Sequence, residues 1–137
     1  MPLITDDGFK EVPSIDLVGP DAINAAGDAR VFVAMDNSDD PRELVGSFAQ
    51  IELITIAFPS FDDGRGFSLA KRLRQLGYTG HLRAKGHLVS DQYPMARASG
   101  FDDVEIDDNL AGRQPENLWR QVGKSRASYR DKLAARI

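Results

Sequence analysis

Residues 62–68, Asp-Asp-Gly-Arg-Gly-Phe-Ser, combine residue types that can hold a small anion. Gly64 and Gly66 free the backbone to approach a ligand closely. Arg65 offers a bidentate fork of N–H donors, and a helix that begins here would add unpaired backbone N–H groups and the positive end of its dipole. The segment therefore predicts a small-oxyanion site, although it lacks the Lys of a phosphate-binding P-loop and the glycine spacing of a dinucleotide fingerprint.

A purely structural role is the alternative for the same segment. Asp62 or Asp63 can cap the following helix, the two glycines can satisfy a turn, and Arg65 can pair with a nearby carboxylate. The sequence leaves both interpretations open.

Two cations, Arg83 and Lys85, alternate with apolar residues, so they share one face of a predicted strand. On a strand that is buried on both sides, such cations need either carboxylate partners or an anionic ligand. We favour pairing with the abundant Asp residues.

The two histidines, His81 and His87, lie at opposite ends of that strand, so no shared metal ion is predicted. His87 with Asp91 offers a general base and its orienting group, but an exposed loop histidine is the simpler interpretation. The adjacent carboxylates at 62–63 and 107–108 suit magnesium, yet such pairs are also usual in solvated turns. We therefore predict no metal site and no cofactor.

Four strand and helix units must position these groups. Apolar or β-branched runs predict the strands, and the segments between them show helical spacing with Asp or Ser caps and Gly stops. The prolines and glycines of residues 1–28 predict a hairpin or extended arm around Asp7-Gly8, and residues 107–112 are expected to form a loop. The predicted strands are 31–35, 51–58, 81–85 and 101–106, and the predicted helices are 41–48, 67–76, 90–99 and 115–124.

This alternation predicts an α/β fold, a small open three-layer sandwich with a mainly parallel four-stranded sheet, plus the N-terminal hairpin or arm. We expect residues 1–137 to form a single domain, with 1–28 as the arm, 29–112 as the core and 113–137 as a basic C-terminal helix or tail. In such sheets ligands bind where the strands end, so the loops after the strands are the expected functional edge.

The composition limits the chemistry and the partners. The 137 residues include no cysteine, which excludes disulfides, thiolate nucleophiles and iron–sulfur ligation by this chain. The start lacks a signal-peptide pattern and no apolar run approaches the length of a membrane span, so we expect a cytoplasmic protein without membrane contact. Residues 1–112 carry 10 Lys and Arg against 19 Asp and Glu, whereas residues 113–137 carry 7 against 2. That basic segment suits nucleic acid or an acidic protein surface, but a solvated helix is the simpler interpretation.

Several motifs resemble a bacterial family of unknown function. They are the run Phe58–Ser68, then Leu82-Arg83-Ala84, Ser90-Asp91-Gln92 and Ser99-Gly100-Phe101-Asp102, and the resemblance covers residues 30–110. Members of that family are small proteins typically encoded beside the assimilatory sulfite reductase, and they are often labelled as oxidoreductases involved in sulfite reduction.

The resemblance implies a set of ligand-binding positions. The sequence departs from the family pattern at Lys85 and His87, where an apolar residue and an acid are commoner, and at Ser99, where a cysteine is common. These departures argue against a mechanism built on a family cysteine and against His87 as a catalyst. The implied ligand-binding residues are Asp63, Gly64, Arg65, Gly66, Ser68, Arg83, Asp91 and Gln92.

Three functions remain open. The leading hypothesis, implied by the resemblance, is an accessory factor in assimilatory sulfite reduction and cysteine biosynthesis, with a small-oxyanion site or a sulfite-reductase-docking site at the C-terminal edge of the sheet. The second is a small enzyme in which Asp63 or Asp91 does acid–base chemistry on an anionic substrate held by Arg65. The third is a ligand-free scaffold for protein interactions. A homodimer is a further option, and nucleic acid is not expected as a partner.

Overall fold

The computed structural model describes residues 2–11, 15–60 and 62–114. None of the helices described there is long and apolar enough to cross a membrane. The predicted helix at 115–124 and nearly all of the basic segment, residues 113–137, lie outside these residues.

The strands are β1 (Pro2–Thr5), β2 (Gly8–Glu11), β3 (Val31–Met35), β4 (Ile51–Phe58), β5 (His81–Gly86) and β6 (Asp103–Glu105). The α-helices are α1 (Arg65–Gln75), α2 (Tyr93–Ser99) and α3 (Asp108–Arg113), and the 3₁₀ helices are Pro20–Ala26, Pro41–Gln50 and Ser90–Gln92.

All six strands belong to one mixed sheet with the order β2-β1-β6-β5-β4-β3. The strands from β3 to β6 are parallel, whereas β1 pairs antiparallel with both β2 and β6. The N-terminal hairpin is therefore present, but the predicted four-stranded, mainly parallel sheet is wrong in strand number. The hairpin does not stand apart from the core, because β1 takes the free edge of β6, where Leu3 lies opposite Glu105 and Ile4 opposite Val104.

Within the described residues the helices pack on one face of the sheet, so this part of the chain has two layers where three were predicted. Strands β3 to β6 stand side by side in chain order. Right-handed connections that all step in the same direction leave their helices on the same side. The helix contacts agree, since α1 touches both the 3₁₀ helix Pro41–Gln50 and α2.

The hydrophobic core lies between that face and the helices. Its side chains, including Leu73 of α1, form one cluster whose burial is the main favourable contribution to folding. A second row of side chains alternates with the core row, so it points to the opposite face of the sheet. The core row crosses all six strands through Met35, Ile56, Ala84, Val104, Ile4 and Phe9. The opposite row contains Ala34, Thr55, Arg83 and Asp103.

The local predictions hold for the central strands and for the end of α1, but not for the segment after β6. The predicted strands 31–35 and 51–58 match β3 and β4, because both are continuous apolar or β-branched runs. Gly77, with φ of 104°, follows the end of α1 as expected. The predicted loop at 107–112 is wrong, since most of it forms α3. The Asp107 side chain accepts a hydrogen bond from Leu110 N over 2.7 Å and so caps a helix there.

Candidate functional site

The loops after the parallel strands lie at one edge of the sheet, and side chains join two of them. Asn37, in the turn after β3, donates from Nδ2 to Oδ2 of Asp63, in the loop after β4, over 2.9 Å. Because β3 and β4 are neighbours in the sheet, this hydrogen bond links adjacent loops across 26 residues of sequence. Asp63 is thereby built into the edge where the strands end.

Asp63 and Arg65 form a closed ring at the start of α1. Arg65 Nε donates to Asp63 Oδ1 over 3.0 Å, and Arg65 Nη2 donates to Asp63 Oδ2 over 2.8 Å. The backbone N–H of Arg65, the first residue of α1, donates to the same Oδ1 over 3.2 Å. The Arg65 guanidinium, its backbone N–H and the Asn37 amide hold the pKa of Asp63 well below its usual range. We refer to Asn37, Asp63 and Arg65 together as the edge clamp.

Gly64, Gly66 and Ser68, from the same segment, each have a different structural environment. Gly66 lies against the ring of Phe58, and a Cβ at this position would collide with that ring. Close packing of α1 on β4 therefore requires glycine here. Gly64 is the N-cap of α1 and makes no side-chain cap. Ser68 is exposed in the first turn of α1.

Asp40 and Arg42 repeat the ring geometry at the start of the preceding helix. Arg42 N donates to Asp40 Oδ1 over 3.0 Å, and Arg42 Nη2 donates to Asp40 Oδ2 over 2.9 Å. The guanidinium and the backbone N–H of Arg42 lower the pKa of Asp40. An Asp-x-Arg sequence that begins a helix thus closes this ring locally. The edge clamp differs because Asn37 adds a hydrogen bond from another loop.

Arg83 does not join the edge clamp, because it lies within β5 on the face of the sheet opposite the helices. Its Nε donates to Asp103 Oδ1 over 2.8 Å, and its Nη1 lies 4.0 Å from Glu105. His81 Nε2 lies 2.7 Å from Asp103 Oδ2. Lys85 Nζ lies 3.5 Å from Glu105 Oε2. The cations of β5 therefore have the carboxylate partners that we favoured from the sequence.

Asp91 and Gln92 lie in the loop after β5, at the same edge as the edge clamp. Gln92 Oε1 accepts a hydrogen bond from Val89 N over 3.0 Å and so fixes the turn that leads into α2. Asp91 is exposed. The neighbouring Ser90 donates from N and Oγ to Gln114 Oε1, which ties the end of α3 to this loop.

Comparison with known proteins bears on these motifs. A sequence profile of DUF934, described as a bacterial protein of unknown function, matches residues 32–136. The chain belongs to this family. Membership in a bacterial family of unknown function, predicted from the motifs, is thus confirmed. No curated protein matches the sequence.

The edge of this DUF934 domain is strongly acidic. The arginines there, Arg42 and Arg65, are each paired with a carboxylate. Such an edge favours a cationic surface over a small dianion. No group of three or more metal-ligating side chains occurs in the described part of the chain. The segments that follow the parallel strands carry Asp36, Asp39, Asp40, Asp62, Asp63, Asp91, Asp107 and Asp108. A cleft of about 590 Å³ runs from this edge onto the face of the sheet opposite the helices, and it is lined by Asp21, Asp36, Asp39, Glu43, Thr55 and Lys85, among others.

Sequence reasoning anticipated carboxylate partners for the cations, but it missed Asn37 as the partner of Asp63. No local pattern joins Asn37 to Asp63, because their contact depends on which strands are neighbours. The carboxylates opposite Arg83 and Lys85 could have been predicted from the sequence. Asp103 and Glu105 show the same two-residue spacing on the next predicted strand, which is the spacing of side chains on one strand face.

Proposed function

We propose that this DUF934 protein is an accessory factor in assimilatory sulfite reduction and cysteine biosynthesis, and that it docks on the sulfite reductase through the edge where its parallel strands end. The choice of reductase rests on the family resemblance of the sequence motifs. The docking mode rests on one observation, namely that the edge clamp holds an exposed guanidinium in a fixed position on an acidic surface.

A restrained and exposed arginine suits protein recognition. The Arg65 side chain is 64% exposed, whereas Asp63 is only 17% exposed. Because Asp63 already restrains Arg65, less side-chain entropy is lost when a partner binds. Within the described residues, Arg65 Nη1 makes no hydrogen bond and keeps its N–H donors for a partner. Arginine is also among the residue types that contribute most to binding at interfaces.

The carboxylates around Arg65 specify the partner surface. An acidic edge attracts a basic surface, speeds the encounter and makes the affinity fall as salt rises. We therefore propose a basic patch on the reductase, with a hydrogen-bond acceptor placed opposite Arg65.

Acid–base catalysis by Asp63 fits this geometry less well. A general base must take up a proton near the working pH, whereas the contacts of the edge clamp hold the pKa of Asp63 far below its usual range. Both oxygens of the carboxylate already accept hydrogen bonds. Asp63 is better suited to positioning Arg65 than to transferring protons.

A small oxyanion such as sulfite is the second candidate at the same edge. Helix α1 has glycine as its N-cap and no acidic residue in its first turn, and Arg65 and Ser68 are exposed there. These features favour an anion near the start of the helix. The pairing of Arg65 with Asp63 and the acidic surroundings make this candidate the weaker one.

Calorimetric titration of the full chain against the assimilatory sulfite reductase tests docking. We expect binding that weakens as salt rises, and a loss of about tenfold in affinity for Arg65→Ala. Arg30→Ala is the matched control, because Arg30 is an exposed arginine that pairs with Glu52 at the opposite end of the sheet, away from the docking edge. It should bind within about twofold of the wild type. Absence of wild-type binding, or equal losses for the two variants, would overturn the proposal.

Thermal unfolding with sulfite, sulfate or phosphate tests the second candidate. An anion at a hundred times its dissociation constant raises the free energy of unfolding by about 2.7 kcal/mol. A stabilisation seen in the wild type and lost in Arg65→Ala would favour the oxyanion site. No stabilisation by any of the three anions would leave docking as the remaining role of the edge.

A further inference from the structure

We infer that Asn37 is the positioning residue of the docking edge, because its amide holds Asp63 so that Arg65 presents its guanidinium in one orientation. The inference rests on the proposed function and deepens it by adding a residue from the loop after β3. Asn37 would act through Asp63 and Arg65 rather than by touching the partner.

The hydrogen bonds to the Asp63 carboxylate support this role. Oδ1 accepts from Arg65 N and Nε, at 3.2 and 3.0 Å. Oδ2 accepts from Arg65 Nη2 and Asn37 Nδ2, at 2.8 and 2.9 Å. The bonds from Arg65 close a ring within the loop after β4, so they move with that loop. The bond from Asn37 ties the ring to the loop of the neighbouring strand.

The Asp40–Arg42 ring shows the same arrangement without such a tie. Arg42 donates to Asp40 through its backbone N–H, Nε and Nη2, as Arg65 does to Asp63. Among the described residues, Arg42 alone supplies hydrogen bonds to the Asp40 carboxylate. Asp40 is also 40% exposed, compared with 17% for Asp63. The link between loops is therefore what distinguishes the edge clamp from a helix cap that forms locally.

An amide suits position 37 because it donates a hydrogen bond without adding charge. A carboxylate there would face Asp63 with a like charge and repel it. A lysine there would compete with Arg65 for the same oxygen atoms. The chemistry of the position thus calls for an uncharged donor.

Binding of the full chain to sulfite reductase tests the inference through a mutant cycle. Asn37→Ala should lower the affinity about fivefold, because Arg65 loses part of its restraint before the partner binds. Asn37→Asp should lower it further, because a like charge would face Asp63. Arg30→Ala is the control for affinity, because Arg30 pairs with Glu52 at the opposite end of the sheet, and it should bind like the wild type. Adding Asn37→Ala to Arg65→Ala should cause no further loss, since Asn37 acts through Arg65.

The NMR resonance of the Arg65 Nε–H group gives a second readout that needs no partner. Its exchange with water should speed up in Asn37→Ala and stay unchanged in Ser38→Ala, which alters an exposed side chain of the same turn. Both variants should unfold at temperatures near that of the wild type. If Asn37→Ala keeps the wild-type affinity and the wild-type exchange rate, the inference is overturned and the docking proposal stands. If Arg65→Ala binds as tightly as the wild type, the docking proposal fails, and the exchange rate alone decides whether Asn37 positions Arg65.

Discussion

Arg83 and Asp103 face each other across adjacent parallel strands, with Arg83 Nε 2.8 Å from Asp103 Oδ1. Asp103 also contacts His81, and its side chain is only 4% exposed. A carboxylate removed from water in this way depends on its cations. A slip of one residue between β5 and β6 would turn these side chains to opposite faces of the sheet. The ion pair therefore helps to fix the register of the two strands.

Asp103→Asn should destabilise the fold strongly, because it leaves buried Arg83 without its main countercharge. We expect the free energy of unfolding to fall by about 3 kcal/mol, measured by urea denaturation at pH 7. Glu52→Gln is the control, because Glu52 pairs with Arg30 at the surface, and it should cost no more than about 0.5 kcal/mol. Similar small losses for both variants would show that the β5–β6 ion pairs contribute little.

The sequence predicts the central strands well and the arrangement of the sheet less well. β3 and β4 are apolar or β-branched throughout, so their identity is a local property. Strands β1 and β2 are only four residues each, and their place beside β6 depends on which edge is free. The number of layers depends on strand order, because strand order decides which face of the sheet the helices cover. Strand order cannot be read from local sequence patterns. For this reason the hairpin was predicted and its place in the sheet was not.

The candidate site shows the same limit. Residue types and the family resemblance single out Asp63 and Arg65, and the structure places both at the expected edge. Arg83, grouped with them by the resemblance, lies on the opposite face of the sheet from the helices. Contacts such as that between Asn37 and Asp63 arise only when adjacent strands bring their loops together. In this chain the residue types of the candidate site are thus easier to predict than the contacts among them.

Arg74 illustrates a side chain whose role is set by tertiary contacts. Arg74 lies seven residues after buried Phe67, so helical spacing places it on a different side of α1 from exposed Arg72. Its guanidinium donates to the carbonyl oxygens of Tyr78, Gly80 and Gly100 at 2.7–3.1 Å. Arg74→Ala should lower the free energy of unfolding by about 2 kcal/mol, because these acceptors lose their donor.

Two further variants sharpen the test of Arg74 in urea denaturation. Arg74→Lys should recover less than half of the loss, since one ammonium group cannot replace a planar fork that reaches several acceptors. Arg72→Ala, which removes an exposed cation of the same helix, should stay within about 0.5 kcal/mol of the wild type. Full rescue by lysine would mean that charge matters here rather than the fork geometry.

Gly66→Ala should destabilise the protein although alanine is the better helix former. The added Cβ would meet the Phe58 ring, so either the ring or α1 must shift, at a cost of about 1–3 kcal/mol in thermal or urea unfolding. Gly112→Ala is the matched control, because a Cβ at this exposed position in α3 has open space around it. It should be neutral or stabilising by up to about 1 kcal/mol. Adding Phe58→Leu to Gly66→Ala should restore part of the loss, and a stable Gly66→Ala single variant would contradict this account.

The pH dependence of stability should reveal the edge clamp. The pKa of Asp63 is lowered in the folded state, so its contribution is fully present above the ordinary Asp value of about 3.9. That contribution is lost as the pH falls through the lower folded value. Arg65→Ala removes the main cause of the shift, so this variant should be less stable than the wild type at pH 7, and the difference should shrink as the pH drops below about 3.9.

Carboxyl NMR titration of Asp63 provides the direct measurement. In the wild type Asp63 should stay ionised at pH values where ordinary Asp side chains are already protonated, and in Arg65→Ala its pKa should return towards the usual range. Arg42→Ala should leave the titration of Asp63 unchanged, because Arg42 pairs with Asp40. An ordinary pKa for Asp63 in the wild type would mean that the clamp is not closed in solution, and Arg65 would then lack the restraint on which the docking proposal depends.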